Sequence, residues 1–131
     1  MKRVVVALIL LILLPVGVVC ETLVESRIEA FAKKEHPNDR MMQDYVFRRQ
    51  YSCYQYMQTV KDVEVKKAAV LKHPEDYALQ ELEYTRQVSA KRYMKIASDE
   101  DVKSIAVRQH PRDYAKQKSE YDRQRSAKQY M

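Results

Sequence analysis

Residues 28–57, 65–94 and 102–131 of this chain align without a gap at a period of 37 residues. Ten of the thirty aligned columns hold one residue in all three copies. They are an Ala, a His-Pro pair, an Asp two residues after the Pro, two Gln, an Arg, a Ser and a closing Tyr-Met. Self-similarity at this period marks a supersecondary unit that stacks on its neighbours because it cannot bury its own apolar face. The repeat therefore restricts the architecture before any local propensity is considered.

Each His-Pro must end or sharply bend a helix, since Pro lacks an amide hydrogen and disfavours helical geometry at the preceding residue. Three of the four prolines, Pro37, Pro74 and Pro111, share this column, and the single glycine, Gly17, precedes all three copies. Pro suits the first turn of the helix that follows. Asp39, Asp76 and Asp113 then fall in that turn, where a carboxylate complements the free amides, with His at or beside the N-cap. Between these marks the chain is rich in good helix formers. The pattern predicts short helices over 23–35, 60–72 and 99–109 and long ones over 37–58, 74–96 and 111–130. Thr22 with Glu25, Thr59 with Asp62, and Ser98 with Asp101 have capping-box spacing for the short helices. Without Gly or Pro in the connectors 58–64 and 95–101, helix could persist through part of each. The fold class expected is all-α: three tandem helix-turn-helix repeats forming a short α-solenoid or compact helical bundle.

The N-terminal twenty residues are a separate material: a Met1-Lys2-Arg3 start, an apolar run from Val4 to Leu14, then Pro15, Gly17 and a close at Cys20. That order reads as a secretory signal over 1–20, leaving a single helical-repeat domain over 21–131. Two alternatives stay open. Cys20 could be acylated as the first residue of a lipoprotein, although Val19 stands where a small residue is customary. The segment could also remain as an uncleaved anchor, although a span needs about 20 apolar residues and this run is broken by Pro15 and Gly17. The expected location is secreted or periplasmic, with membrane contact only through an uncleaved signal or an acylated Cys20.

The whole chain carries a formal charge of +6; without Lys2 and Arg3, 22 basic residues face 18 acidic ones. Acidic and basic positions interleave instead of forming blocks, the pattern of a solvated helix surface. Weak attraction to anionic lipid headgroups or glycans is the alternative reading. No basic run suggests nucleic acid. Two cysteines supply no disulfide framework, and Cys53 shares a column with Ala90 and Ala127, as a packed thiol would.

Along the second long helix Asp76, Gln80, Tyr84, Gln87 and Met94 form one stripe, and Arg86, Ser89 and Tyr93 form a second. The third copy repeats both. Two stripes predict contact with the short helix of the same copy and with the next copy. The first copy is the most apolar. The third has Lys116, Ser119 and Arg125 where the second has Leu79, Leu82 and Val88, which suggests a solenoid cap.

No catalytic constellation is visible. His36, His73 and His110 sit in separate copies with no ligand partner at metal-binding spacing, so a helix-junction role explains them. Ser52, Ser89 and Ser126 lack any glycine context for a nucleophile elbow or phosphate loop. No enzyme activity and no cofactor are expected. The paired Gln columns, Gln43, Gln80, Gln117 and Gln50, Gln87, Gln124, are different, because Gln on a contact stripe demands partners for its amide. An inter-repeat hydrogen-bond ladder is one reading. A groove for an extended peptide or glycan, lined by these amides, by Arg49, Arg86 and Arg123, and by tyrosine hydroxyls, is the other. Arg48 and Arg49 with Tyr51, Tyr54 and Tyr56 form a candidate partner patch; core packing is the competing account of those tyrosines.

The run His-Pro-x-Asp-Tyr-x-x-Gln at 73–80 and again at 110–117, followed by Arg-Gln and Tyr-Met, resembles a short helical motif of small exported bacterial proteins without assigned activity. The first copy departs from it, with Arg40 where the others have Tyr77 and Tyr114. The resemblance implies an extracytoplasmic bacterial origin and no catalytic residues. The function expected is that of a binding or scaffold module with a protein or envelope partner. A polyanion binder is the first alternative and a helical enzyme or redox protein the second.

Overall fold

In the computed structural model, residues 16 to 130 are described, and they form six helices and no strand. These are α1 (Val16–Glu35), α2 (Arg40–Thr59), α3 (Val63–Lys72), α4 (Tyr77–Ile96), α5 (Glu100–Gln109) and α6 (Tyr114–Gln129). The fold is all-α. The expected signal falls largely outside the described residues, and its last five positions, 16 to 20, are the start of α1. None of the described helices is long and apolar enough to cross a membrane.

The His-Pro junctions differ from the expected arrangement. The long helices begin three residues after Pro, and Asp is the N-cap itself: Asp39, Asp76 and Asp113 accept from the amides of Met42, Leu79 and Lys116. His73 and His110 are instead the C-caps of the helices before them. Between cap and cap lies a turn in which the Asp amide donates to the His carbonyl three residues back, at 3.3 to 3.4 Å. Pro at the second position of such a turn has its fixed φ satisfied and no amide to lose. The turn outcompetes a Pro-started helix because the carboxylate can cap only from outside the helix.

The short helices are also capped later than the expected Thr59 and Ser98, by three residues and by one. Asp62 accepts from the Val65 amide and Asp99 from Val102, both at 3.2 Å. The connectors thus lose helix at only three positions, 60–62 and 97–99. α1 has no corresponding break, and helix runs through Thr22. Two columns differ here: the capping Asp62 and Asp99 align with Glu25, and Tyr84 and Tyr121 align with Phe47. Tyr84 and Tyr121 each use their hydroxyl to accept from the cap amide, Asp62 and Asp99 respectively, at 3.2 Å. The first copy has Phe47 in that column and no interrupted helix whose amide would need it.

The chain divides into two compact units between Ser52 and Cys53, inside α2. The first buries Val24, Ile28 and Ala32 of α1. The second holds two small cores made from matching columns: Met57, Val65, Ala69 and Tyr84, then Met94, Val102, Ala106 and Tyr121. Ala69 and Ala106 are wholly covered because only a methyl fits where helices approach this closely. Tyr121, 1 % exposed, contributes about 2 kcal/mol by its apolar burial alone.

Candidate functional site

The two Gln columns do different work. Gln43, Gln80 and Gln117 each donate through Nε2 to the His carbonyl seven residues earlier, at 2.6, 2.7 and 2.6 Å. That carbonyl therefore receives both the turn amide and the Gln amide, and His, Pro, Asp and Gln become one elbow. The bond stays within a copy, so this column forms no ladder between copies. Among the described residues the imidazoles of His36, His73 and His110 make no hydrogen bond, and nothing in the structure explains the choice of His over another residue.

The second column does cross. Gln87 on α4, 6 % exposed, donates to Glu83 Oε1 and to Asp113 Oδ1, both at 2.8 Å, and accepts from the Ala115 amide at 3.1 Å. One side chain thereby holds both the cap and the first turn of α6. Glu83, 8 % exposed, also receives Arg86 and Lys72. Burial alone would raise the Glu83 carboxyl, but hydrogen bonds from Gln87, Arg86 and Lys72 outweigh it and leave it below its ordinary range. Asp113 follows the same logic: burial opposes ionisation, while Gln87 and the Lys116 amide more than offset it. Beside this joint, Lys91 stands 5.1 Å from the centre of the Tyr114 ring and reaches Asp62 at 2.8 Å.

Gln50 is buried and Gln124 half-buried. Gln124 keeps the local half of the pattern, donating to Glu120 at 2.7 Å. Arg49, Arg86 and Arg123 are all exposed, the last two lying against the acid three residues before them. The tyrosines expected as a patch are each engaged separately. Tyr51 stacks on Phe47 and donates to Glu21; Tyr54 meets Tyr77 edge-on at 5.2 Å; Tyr56 meets Tyr84 edge-on at 6.5 Å. Cys53 is half-buried in the column that in α4 holds Ala90, 4 % exposed.

Two open depressions adjoin the Gln columns. One, of about 450 Å³, is lined by Val65, Lys67, Leu71, Gln87, Arg112 and Tyr114 among others. Its lining mixes apolar Val65, Ala68 and Leu71, the last 74 % exposed, with acidic Glu64 and basic Lys67 and Arg112. The other, of about 680 Å³ in the first unit, includes Gln43, Phe47 and Arg40. Glu83, Leu71, Arg112 and Tyr114 were missed by reasoning from invariant columns. Glu83 has a counterpart in Glu120 but not in the first copy, where Val46 stands. Leu71 and Arg112 occupy columns that vary, so only the fold reveals that they share a wall. No protein-family model, no characterised protein and no solved structure matches this chain.

Proposed function

We propose that the chain is an extracytoplasmic binding or scaffold module, built from three tandem helix-turn-helix units stacked as a short α-solenoid. The observation that carries this reading is the depression beside Gln87. Gln87, already fixed by three hydrogen bonds, stands with Tyr114 and Leu71 along a surface that also carries apolar Val65, basic Lys67 and Arg112, and acidic Glu64. A prearranged wall of this kind suits an extended peptide, because ordering costs are met in the scaffold before binding. Export through residues 1–20 is part of the proposal, and its support is the order of basic, apolar and helix-breaking residues at the N-terminus.

Affinity capture from the exported or envelope fraction of the source cells tests it, with the full chain as bait and Leu71→Asp as control. Leu71 is exposed, so the variant should fold normally while placing a charge in the groove. A partner retained above roughly 0.3 M salt by the parent chain and lost by the variant supports a packed peptide site. Binding that vanishes with salt and ignores Leu71→Asp supports attraction to polyanions instead. Intact mass of the recovered native protein distinguishes cleavage after Cys20, acylation at Cys20 and retention of the segment.

A further inference from the structure

The joint made by Gln87 has a second receiving half on α6. Three of the bonds that prepare α4 to hold an incoming helix recur 37 residues later, while the Lys72–Glu83 pair has only Gln109 in the matching column. Gln87 donates to Glu83 at 2.8 Å, and Gln124 donates to Glu120 at 2.7 Å. Arg86 meets Glu83 at 2.8 Å, and Arg123 meets Glu120 at 2.6 Å. Lys91 reaches Asp62 at 2.8 Å, and Lys128 reaches Asp99 at 3.0 Å. The small column is kept as well, with Ala90 matched by Ala127.

What differs is the cover. Ala90 is 4 % exposed beneath its neighbour, while Ala127 is exposed. Gln87 Oε1 accepts from Ala115, whereas Gln124 Oε1 has no donor among the described residues. The polar replacements Lys116 and Ser119 stand where α4 already exposes Leu79 and Leu82 at 41 % and 64 %, and exposed Arg125 stands where α4 has the half-buried Val88.

The geometry points to a docking site on α6, formed by Glu120, Arg123, Gln124, Ala127 and Lys128, for the start of a helix in a partner protein. That helix opens with a capping Asp, an aromatic residue and a small residue. The occupant's chemistry is read from the occupied joint: Asp113 accepts from Gln87, Tyr114 lies under Lys91, and the amide of Ala115 donates back. Charge agrees with this, since an acidic cap and an aromatic face would meet Arg123 and Lys128. A second copy of the chain is a poorer occupant. Its uncommitted helix start is Asp39-Arg40-Met41, which would set Arg40 against Lys128 and Met41, 83 % exposed, against Ala127. The site deepens the reading of the chain as a binding module, but it uses residues separate from the groove.

The test is titration of the full chain with a synthetic peptide of residues 110–130, its helix locked by a lactam joining Lys118 to Asp122 and verified by circular dichroism. Backbone and side-chain amide shifts are followed by NMR. Saturable shifts centred on the Gln124 side-chain amide, Ala127 and Lys128 are expected. Gln124→Ala in the chain, or Tyr114→Arg in the peptide, should each weaken binding at least tenfold. Absence of saturable shifts there overturns the site, as does affinity unchanged by Gln124→Ala. Self-association of the unmixed chain that Gln124→Ala abolishes would make the occupant a second copy and overturn the heterologous partner. Native capture that survives Gln124→Ala but is lost with Leu71→Asp leaves the groove reading intact while removing this one.

Discussion

Replacing Gln87 by Ala removes three hydrogen bonds at once, and the consequence can be worked from their partners. The Ala115 amide lies in the first turn of α6, where no intrahelical acceptor exists, so losing Gln87 Oε1 leaves it dependent on water. Asp113 loses a donor while staying half-buried, and Glu83 keeps Arg86 and Lys72. A bond to an ionised group contributes roughly 1.5 to 3 kcal/mol and an orphaned amide costs about 1 to 3. Allowing for water entry, the total is about 3 kcal/mol. Gln80→Ala removes one bond to a carbonyl that retains the Asp76 amide, and should cost about 1 kcal/mol. Urea unfolding of the two variants gives the comparison, and hydrogen exchange at Ala115 localises it. A cost for Gln87→Ala within about 1 kcal/mol of the parent, with Ala115 protection unchanged, would refute the joint as the coupling between α4 and α6.

Gln87→Glu should be worse than Gln87→Ala at neutral pH, because it sets a third carboxylate between Glu83 and Asp113; urea midpoints that fail to recover on mild acidification would contradict this. In the parent chain, Glu83 and Asp113 titrate below their unfolded values, so their stabilisation is present above the ordinary carboxylate range. It is lost as pH falls through the folded values; a pH-independent midpoint from pH 6 to 3 would be inconsistent with the joint. Tyr121→Phe keeps the ring and removes the acceptor for the Asp99 amide, for a loss of about 1 kcal/mol, whereas Phe47→Tyr should be close to neutral; calorimetry of both decides. Arg123→Ala, at an exposed position, should change stability by no more than about 0.5 kcal/mol, and a larger loss would mean the Arg column is part of the scaffold.

The helical class and the position of each junction were legible because Pro is unambiguous punctuation in a chain otherwise made of helix formers. The roles within a junction were less so. Asp, Pro and His can each be assigned to neighbouring cap positions by composition, and only the carbonyl of His, which no side-chain pattern announces, decides among them. Gln43, Gln80 and Gln117 illustrate the same limit: their partner is backbone, so an expectation framed in side-chain ladders misplaces them. Gln87 was legible as a contact residue but not as a clamp, since its partners Asp113 and Ala115 are distant in sequence and already explained by capping. Tyr54 and Tyr56, two apart on the helix, meet different rings, Tyr77 and Tyr84, which their closeness along the chain does not announce.

The elbow closed by Gln on the His carbonyl is assembled wholly from residues of its own copy and, among the described residues, requires no glycine and no positive φ. A duplicated segment of 37 residues would therefore arrive with its bend already specified, in any setting. Contacts of the Gln87 type, and tyrosine contacts such as Tyr93 with Asp122, are what need a neighbour. Growth or loss of whole segments would leave every remaining bend intact, which makes length the most freely variable property of a chain built this way.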